Sequence, residues 1–235
     1  MQTGSRNIVS RTEWTEARKR LLAKEKEFTH QRDQLSAARR ELPWVQVTEP
    51  YVFQRARGQA TLGDLFDGRS QLVVYHFMFG PDWEAGCKSC SFWADNFNGI
   101  VEHLAHRDVT MIAISRGPLA KLTAYARRLG WRFEWVSSLG NTFNQDYGVS
   151  FTPEDVARGE LTYNFATQKP ASAELPDISV FARDDSGAIF HTYSCYSRGI
   201  DMMNTAYHYL DLVPNGRDEG DKPMSWLRRR DEYGA

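Results

Sequence analysis

The sequence predicts an α/β fold with a central mixed sheet covered on both faces, a long N-terminal helix and a C-terminal tail. Three observations predict it. Between Trp14 and Leu42 there is neither proline nor glycine, and apolar residues recur in steps of three, four and seven, as on one amphipathic helix. From Val45 onward, apolar runs of strand length alternate with helical segments, which implies parallel strands joined by helices. Later, the runs 178–183 and 188–195 flank Asp185-Ser186-Gly187, a hairpin signal that adds antiparallel strands.

The N-terminal helix carries its stripe at Trp14, Ala17, Leu21, Phe28, Leu35, Ala38 and Leu42. Ser10 and Glu13 stand at capping-box spacing before it, and Pro43 follows it. Such a helix runs about 40 Å at ~1.5 Å per residue. Its charges are mixed, as on a solvated face, and its stripe suits either its own domain or a second subunit in a homodimer. The runs 72–79 and 109–115 read as buried strands, 90–106 and 118–129 as the helices after them, and 133–137 as a third strand. Residues 141–148 form a turn or short helix, 152–173 a polar excursion and 202–212 a closing helix. The charged stretch 214–235 reads as a surface-hugging tail anchored by Trp226 and Tyr233. A single domain over 1–235 is expected, with 1–44 as a helical extension, 45–212 as the core and 213–235 as the tail.

Composition narrows the function classes. Of 235 residues, 41% are hydrophobic and 25% charged, too apolar a balance for intrinsic disorder. Lys and Arg total 29 against 30 Asp and Glu, so no generally basic surface for nucleic acid is indicated. The longest apolar run, Leu72 to Phe79, is too short to span a bilayer, and Met1 to Ser10 lacks the apolar segment of a secretory signal. Three cysteines cannot build the disulfide framework of a small secreted domain, so a reducing cytoplasm is the expected setting.

The informative motif is Gly86-Cys87-Lys88-Ser89-Cys90, between the first buried strand and the helix after it. Residues three apart on a helix have side-chain bases roughly 5 to 6 Å apart, within reach of a disulfide after local adjustment. A helix start presents unpaired N–H groups and partial positive charge that favour a thiolate, and Lys88 adds to that field. Cys87, nearer the terminus, is the expected nucleophile, and Cys90 the resolving thiol. A zinc site would need two more ligands; His103 and His106 lie too far along the helix from Cys90, and His191 and Cys195 too far apart on one strand to reach one ion, so no metal is expected. No bound cofactor is required for dithiol chemistry. Trp83, Phe92, Trp93 and Tyr196 are candidates to line a substrate groove.

Leu175-Pro176-Asp177 precedes the late hairpin, where a proline naturally enters a strand; a cis bond there would turn backbone toward the cysteines. Strand, CxxC at a helix start, a further βα unit, then proline and hairpin resemble, over residues 60–212, the thioredoxin-like three-layer fold. The runs 80–90, 130–138 and 191–199 and the tail Trp226-Leu-Arg-Arg-Arg-Asp-Glu-Tyr233 resemble the thioredoxin-like family called domain of unknown function 899. That resemblance implies a dithiol–disulfide oxidoreductase with Cys87 and Cys90 as its redox pair and Pro176 facing them. Trp83 and Tyr196 are carried as further substrate contacts, and a disulfide-containing protein or small thiol as the partner, with neither nucleic acid nor membrane involved. His76 falls near the position where thioredoxins bury an acid, and is read as a neutral core histidine.

The strand–helix order also resembles peroxiredoxins, with Cys87 at the peroxidatic position. Their proline–threonine–cysteine spacing is not met, since Pro81 lies six positions before Cys87 and neither Glu84 nor Ala85 supplies a hydroxyl. Arg116 or Arg183 would have to polarise a peroxide. Cys195 is read as a small buried hydrophobe rather than a partner for Cys87. A thiol peroxidase and a non-catalytic binding module are therefore the alternatives to disulfide exchange.

Overall fold

A computed structural model describes residues 7–169 and 172–234. The chain divides after Pro43 into two units. The first is one helix, α1 (Arg11–Arg40), which begins with the expected capping box. The Ser10 N–H donates to Glu13 Oε2 at 2.9 Å, and the Glu13 N–H donates to Ser10 Oγ at 3.3 Å. No residue of α1 is buried, and Trp14, Leu21, Phe28 and Leu35 are half exposed or more.

The second unit holds strands β1 (Val45–Gln46), β2 (Val52–Arg55), β3 (Gly58–Thr61) and β4 (Gln71–His76), then α2 (Lys88–Ala94) and α3 (Val101–His106). It continues through β5 (Val109–Ser115), α4 (Leu119–Arg128), β6 (Glu134–Ser137), α5 (Phe143–Asp146) and α6 (Pro153–Arg158). A small hairpin, β7 (Leu161–Tyr163) with β8 (Ala166–Gln168), precedes β9 (Asp177–Arg183), β10 (Ile189–Tyr196) and α7 (Thr205–Leu210). The eight-stranded sheet runs β1-β10-β9-β4-β5-β6-β2-β3. β4, β5 and β6 are parallel, while β9 joins β4 antiparallel and turns back into β10. That order, with α2 crossing from β4 to β5, is the thioredoxin-like arrangement expected from the sequence.

β4 reads as a continuous apolar run because both its faces are covered. Tyr75 and Phe77 join a core with α2, α4 and α7, whereas Leu72 and Val74 join a second core with the 3-10 turn Gly63–Phe66 and Phe143 of α5. The expected helix 90–106 is broken in two. Asn96 turns its amide back onto the carbonyls of Phe92 and Trp93, at 2.9 and 3.0 Å, and Asn98 accepts from the Arg132 N–H at 2.8 Å. The polar excursion contains α6, capped by Thr152, and the β7–β8 hairpin; residues 170 and 171 lie outside the described residues. The closing helix is shorter than expected, since Ser197–Met203 forms a 3-10 turn before Asn204 caps α7. Among the described residues no helix is long and apolar enough to cross a membrane.

Candidate active site

β4 stops at His76 because the chain leaves the sheet in a loop that returns to its own start: the Cys87 N–H donates to the Met78 carbonyl at 3.1 Å. Gly86 is the tight point of this loop. A Cβ there would stand 2.7 Å from the Phe77 ring and 3.1 Å from Tyr125, so the close approach of two core aromatics requires glycine. The Gly86 carbonyl accepts from Arg229 at 2.9 Å and from the Tyr125 hydroxyl at 3.3 Å.

Cys87 is the residue immediately before α2 and is half-buried, while Cys90, one turn on, is 2% exposed. All three cysteines are free thiols. The two thiols of the motif are driven in opposite directions. The Cys90 side chain hydrogen-bonds the Cys87 sulfur and, with the N–H groups of Cys90 and Ser89, overcomes the cost of burial to bring Cys87 from about 9 down to about 6. Burial pushes Cys90 well above an ordinary thiol, and the neighbouring Cys87 charge adds to it. Lys88, expected to strengthen the field at Cys87, instead donates to the Leu227 carbonyl at 2.8 Å.

A cavity of about 300 Å³ opens beside Cys90. Its walls are mostly apolar, with Tyr75, Met78, Trp93, Leu175, Pro176 and Met224 among them, while Lys169, Arg198 and Asp201 also line it. The Tyr75 hydroxyl is buried in this wall beside the Cys90 sulfur, and burial first, then its contact with Cys90, hold its pKa well above the ordinary value. Of the expected substrate contacts, Pro176 and Trp93 line this space; Trp83 and Tyr196 do not. Trp83 packs over Gly80 in the loop, and Lys121 donates to its carbonyl at 3.0 Å. Tyr196 sits on the other face of β10, where its hydroxyl donates to the Tyr147 carbonyl. Phe92 faces the tail, edge-on to Tyr207 and Trp226. The Leu175–Pro176 bond is trans, contrary to the cis geometry considered from the sequence; the Pro176 carbonyl accepts from Tyr163 at 2.6 Å.

The tail belongs to this site, which its composition alone did not reveal. Met224 reaches the cavity, Leu227 is 2% exposed, and Arg229 spans Gly86 and the Tyr125 hydroxyl, the latter at 2.7 Å. The anchor is thus Leu227 rather than the expected Trp226 and Tyr233, which stay 37% and 47% exposed. The only advance signal was the tail's part in the family resemblance. Tyr75 and Met224 carried no signal, being ordinary residues in an apolar run and a charged stretch.

On the opposite face of the sheet lies a buried polar chain. Ser179 donates to Asp177 Oδ2 at 2.7 Å, and its oxygen meets His76 Nε2 at 3.1 Å and the Ser194 hydroxyl at 2.9 Å. His191 Nε2 lies 2.9 Å from Ser194 Oγ. A hydroxyl has one proton to give, so while Asp177 is ionised and takes the Ser179 proton, His76 and Ser194 donate to Ser179, which places the His76 proton on Nε2 in that state. Burial lowers His76 to about 3, so it is neutral as expected, and burial raises Asp177 to about 7. The arginines considered for peroxide are otherwise engaged. Arg116 pairs with Glu174 at 3.0 Å, and Arg183 lies over the Phe66 ring and donates to the Arg69 carbonyl. Cys195 is buried on β10 opposite Ile178. No group of three or more histidine, cysteine or carboxylate side chains suited to a metal ion occurs among the described residues.

Comparison with known proteins gives a family and distant structural neighbours. No curated protein matches the chain. Solved structures that resemble it include peroxidoxin BcpB from Mycobacterium tuberculosis, at 13% identity and a TM-score of 0.45 over 70% of this chain and 94% of that one. Peroxiredoxin Q from Xanthomonas campestris aligns at 11% identity and a TM-score of 0.49 over 70% and 93% of the two chains. The mitochondrial 2-Cys peroxiredoxin from Plasmodium falciparum aligns at 11% identity and 0.42, over 71% and 92%. The family described as bacterial protein of unknown function (DUF899) matches residues 3–233, and the chain belongs to it.

Proposed function

We propose that the protein is a dithiol–disulfide oxidoreductase in which Cys87 and Cys90 exchange electrons with a disulfide substrate. The observation that carries this reading is the asymmetry of the pair: a half-buried Cys87 lowered to about 6 beside a buried Cys90 held as a thiol. Near neutral pH Cys87 is mostly thiolate and ready to attack, while Cys90 keeps its proton until needed.

The Cys87 thiolate attacks one sulfur of the substrate, forming a mixed disulfide and expelling the other sulfur as a thiolate. Cys90 then gives up its proton and attacks the Cys87 sulfur, releasing the second substrate thiolate and closing a Cys87–Cys90 disulfide. The substrate gains two electrons and the protein loses two. A reducing dithiol, as a cytoplasm supplies, must restore the pair. The cavity beside Cys90 suits an apolar portion of the substrate, with Pro176 and Met224 as walls.

The test is disulfide reduction by the full chain with a dithiol reductant. Cys87→Ser is expected to lose activity by on the order of 10³-fold. Cys90→Ser should stop turnover while accumulating a mixed disulfide on Cys87. Unchanged activity in both variants rejects the mechanism, and rapid Cys87-dependent consumption of hydrogen peroxide with no disulfide reduction would replace it with thiol peroxidase chemistry.

A further inference from the structure

We infer that α1 is a dimerisation element, pairing in parallel and in register with α1 of a second copy of this chain. Apart from Leu22, its large apolar residues, Trp14, Leu21, Phe28, Leu35 and, just past the helix, Leu42, recur every seven positions and form a single column. Every one of them is at least 44% exposed, and no residue of the helix is buried. A strict seven-residue repeat is the pattern of a left-handed coiled coil, with this column in the first core position, a.

The charges beside the column decide what covers it. Taking the column as a, the flanking g positions are Glu13, Arg20, Glu27 and Gln34, and the e positions are Arg18, Glu25, Arg32 and Arg39. In a parallel pair each g residue faces the e residue of the next heptad on the other helix. That sets Glu13 against Arg18 of the second copy, Arg20 against Glu25 of the second copy, and Glu27 against Arg32 of the second copy. All three are opposite charges, and two-fold symmetry makes each pair twice. An antiparallel pair instead sets g against g and e against e. Aligning the large a side chains with the small d positions would then place Glu27 against Glu27, Glu25 against Glu25 and Arg18 against Arg32. The helix is complementary to itself in one orientation and repulsive in the other.

The remaining core position, d, holds Ala17, Lys24, Gln31 and Ala38. The alanines allow close approach, and the two long side chains lay their stems along the seam while their heads reach water. Polar d residues cost stability, so the large column fixes the register: any other would leave Trp14 or Leu42 unmatched. Arg32 is the clearest marker, because among the described residues its guanidinium has no ion-pair partner within the chain. Arg18 and Glu25 are bonded to each other at 2.7 Å in the isolated helix and would have to exchange partners.

Sedimentation equilibrium on the full chain tests this. The wild type is expected at twice the 27.0 kDa of one chain. Phe28→Glu, on an exposed face, should weaken association by about 100-fold without loss of helix content. Glu27→Arg should weaken it by about tenfold, and adding Arg32→Glu should restore it. Oxidising Gln31→Cys should join two copies through residue 31, which only the parallel register allows, with the wild type treated alike as control. A monomeric wild type, a dimer indifferent to Phe28→Glu, or a double variant no tighter than Glu27→Arg alone would each overturn the proposal.

Discussion

Where β4 ends and β9 begins, the sheet buries titratable groups on both faces, and the two faces treat them differently. On one, Cys87 and Cys90 share a hydrogen bond at the start of α2, and the sulfur nearer solvent is driven toward its charged form. On the other, Asp177 and His76 lie side by side, 3.8 Å apart and essentially unexposed, and both are driven toward neutrality. Burial acts on all four groups. Only at Cys87 do donors aimed at the charged form outweigh it, and only Cys87 keeps contact with solvent. A strongly shifted pKa therefore does not by itself mark a reactive site; the sign of the shift relative to burial does.

The comparison breaks most visibly if the donor to Cys87 is removed. In Cys90→Ala, Cys87 loses the largest contribution to its acidity and its titration should climb from about 6 toward the ordinary value near 9. Each unit of that climb is a tenfold loss of thiolate below the midpoint, so alkylation at pH 6 should slow by about 10- to 100-fold. A rate profile against pH with its midpoint still near 6 would mean that the backbone N–H groups and the Ser89 hydroxyl hold the thiolate without Cys90.

The opposite face is sharpened by Asp177→Asn. Asp177 titrates at about 7 in the folded chain and near 3.8 when unfolded. Between those values the folded chain holds a proton that the unfolded chain has released, so its contribution is full below about pH 4 and is lost as pH rises through about 7. Asparagine keeps an acceptor for Ser179 and carries no charge. Denaturant unfolding should show the variant gaining on the order of 1 to 3 kcal/mol over wild type at pH 8.5, shrinking toward pH 4. A gain independent of pH would show that the Asp177 charge is not the cause.

What the sequence made legible follows the same divide between local and distant causes. The capping box at Ser10, the runs that became β4, β5 and β9, and the placement of Cys87 before a helix all depend on nearest neighbours in the chain. β2 and β3 are not legible in the sequence because each buries one residue only, Phe53 and Ala60, and their hairpin reads as polar. The break between α2 and α3 depends in part on Asn98 meeting Gly130 and Arg132, and on Asn96 accepting from the Thr205 N–H, both from distant segments. The groups around the thiols come from far along the chain: Tyr75, Pro176, Met224 and Arg229 meet only once the sheet is built. Spacing within CxxC marks the sulfurs, but not which side chains stand around them.

Arg229 gives the finest test of that distant contribution. Its guanidinium donates to the Gly86 carbonyl at 2.9 Å and to the Tyr125 hydroxyl at 2.7 Å, and its own charge is balanced by Glu232 at 3.0 Å. Arg229→Met keeps an apolar stem over Tyr125 but removes both bonds. The Gly86 carbonyl retains the Tyr125 hydroxyl, so the loss should be partial, about 1 to 2 kcal/mol of stability. The more specific readout is local: hydrogen exchange should accelerate at Cys87, whose N–H is held by the Met78 carbonyl within the same loop, while the amides of β5 stay protected. The titration of Cys87 should hardly move, because the groups that lower it lie within α2 and not in the tail. If Cys87 acidity fell with the loop's protection, the tail would be setting the chemistry of the thiol face and not merely bracing it, and the contrast between the two faces would rest on Arg229 as much as on Cys90.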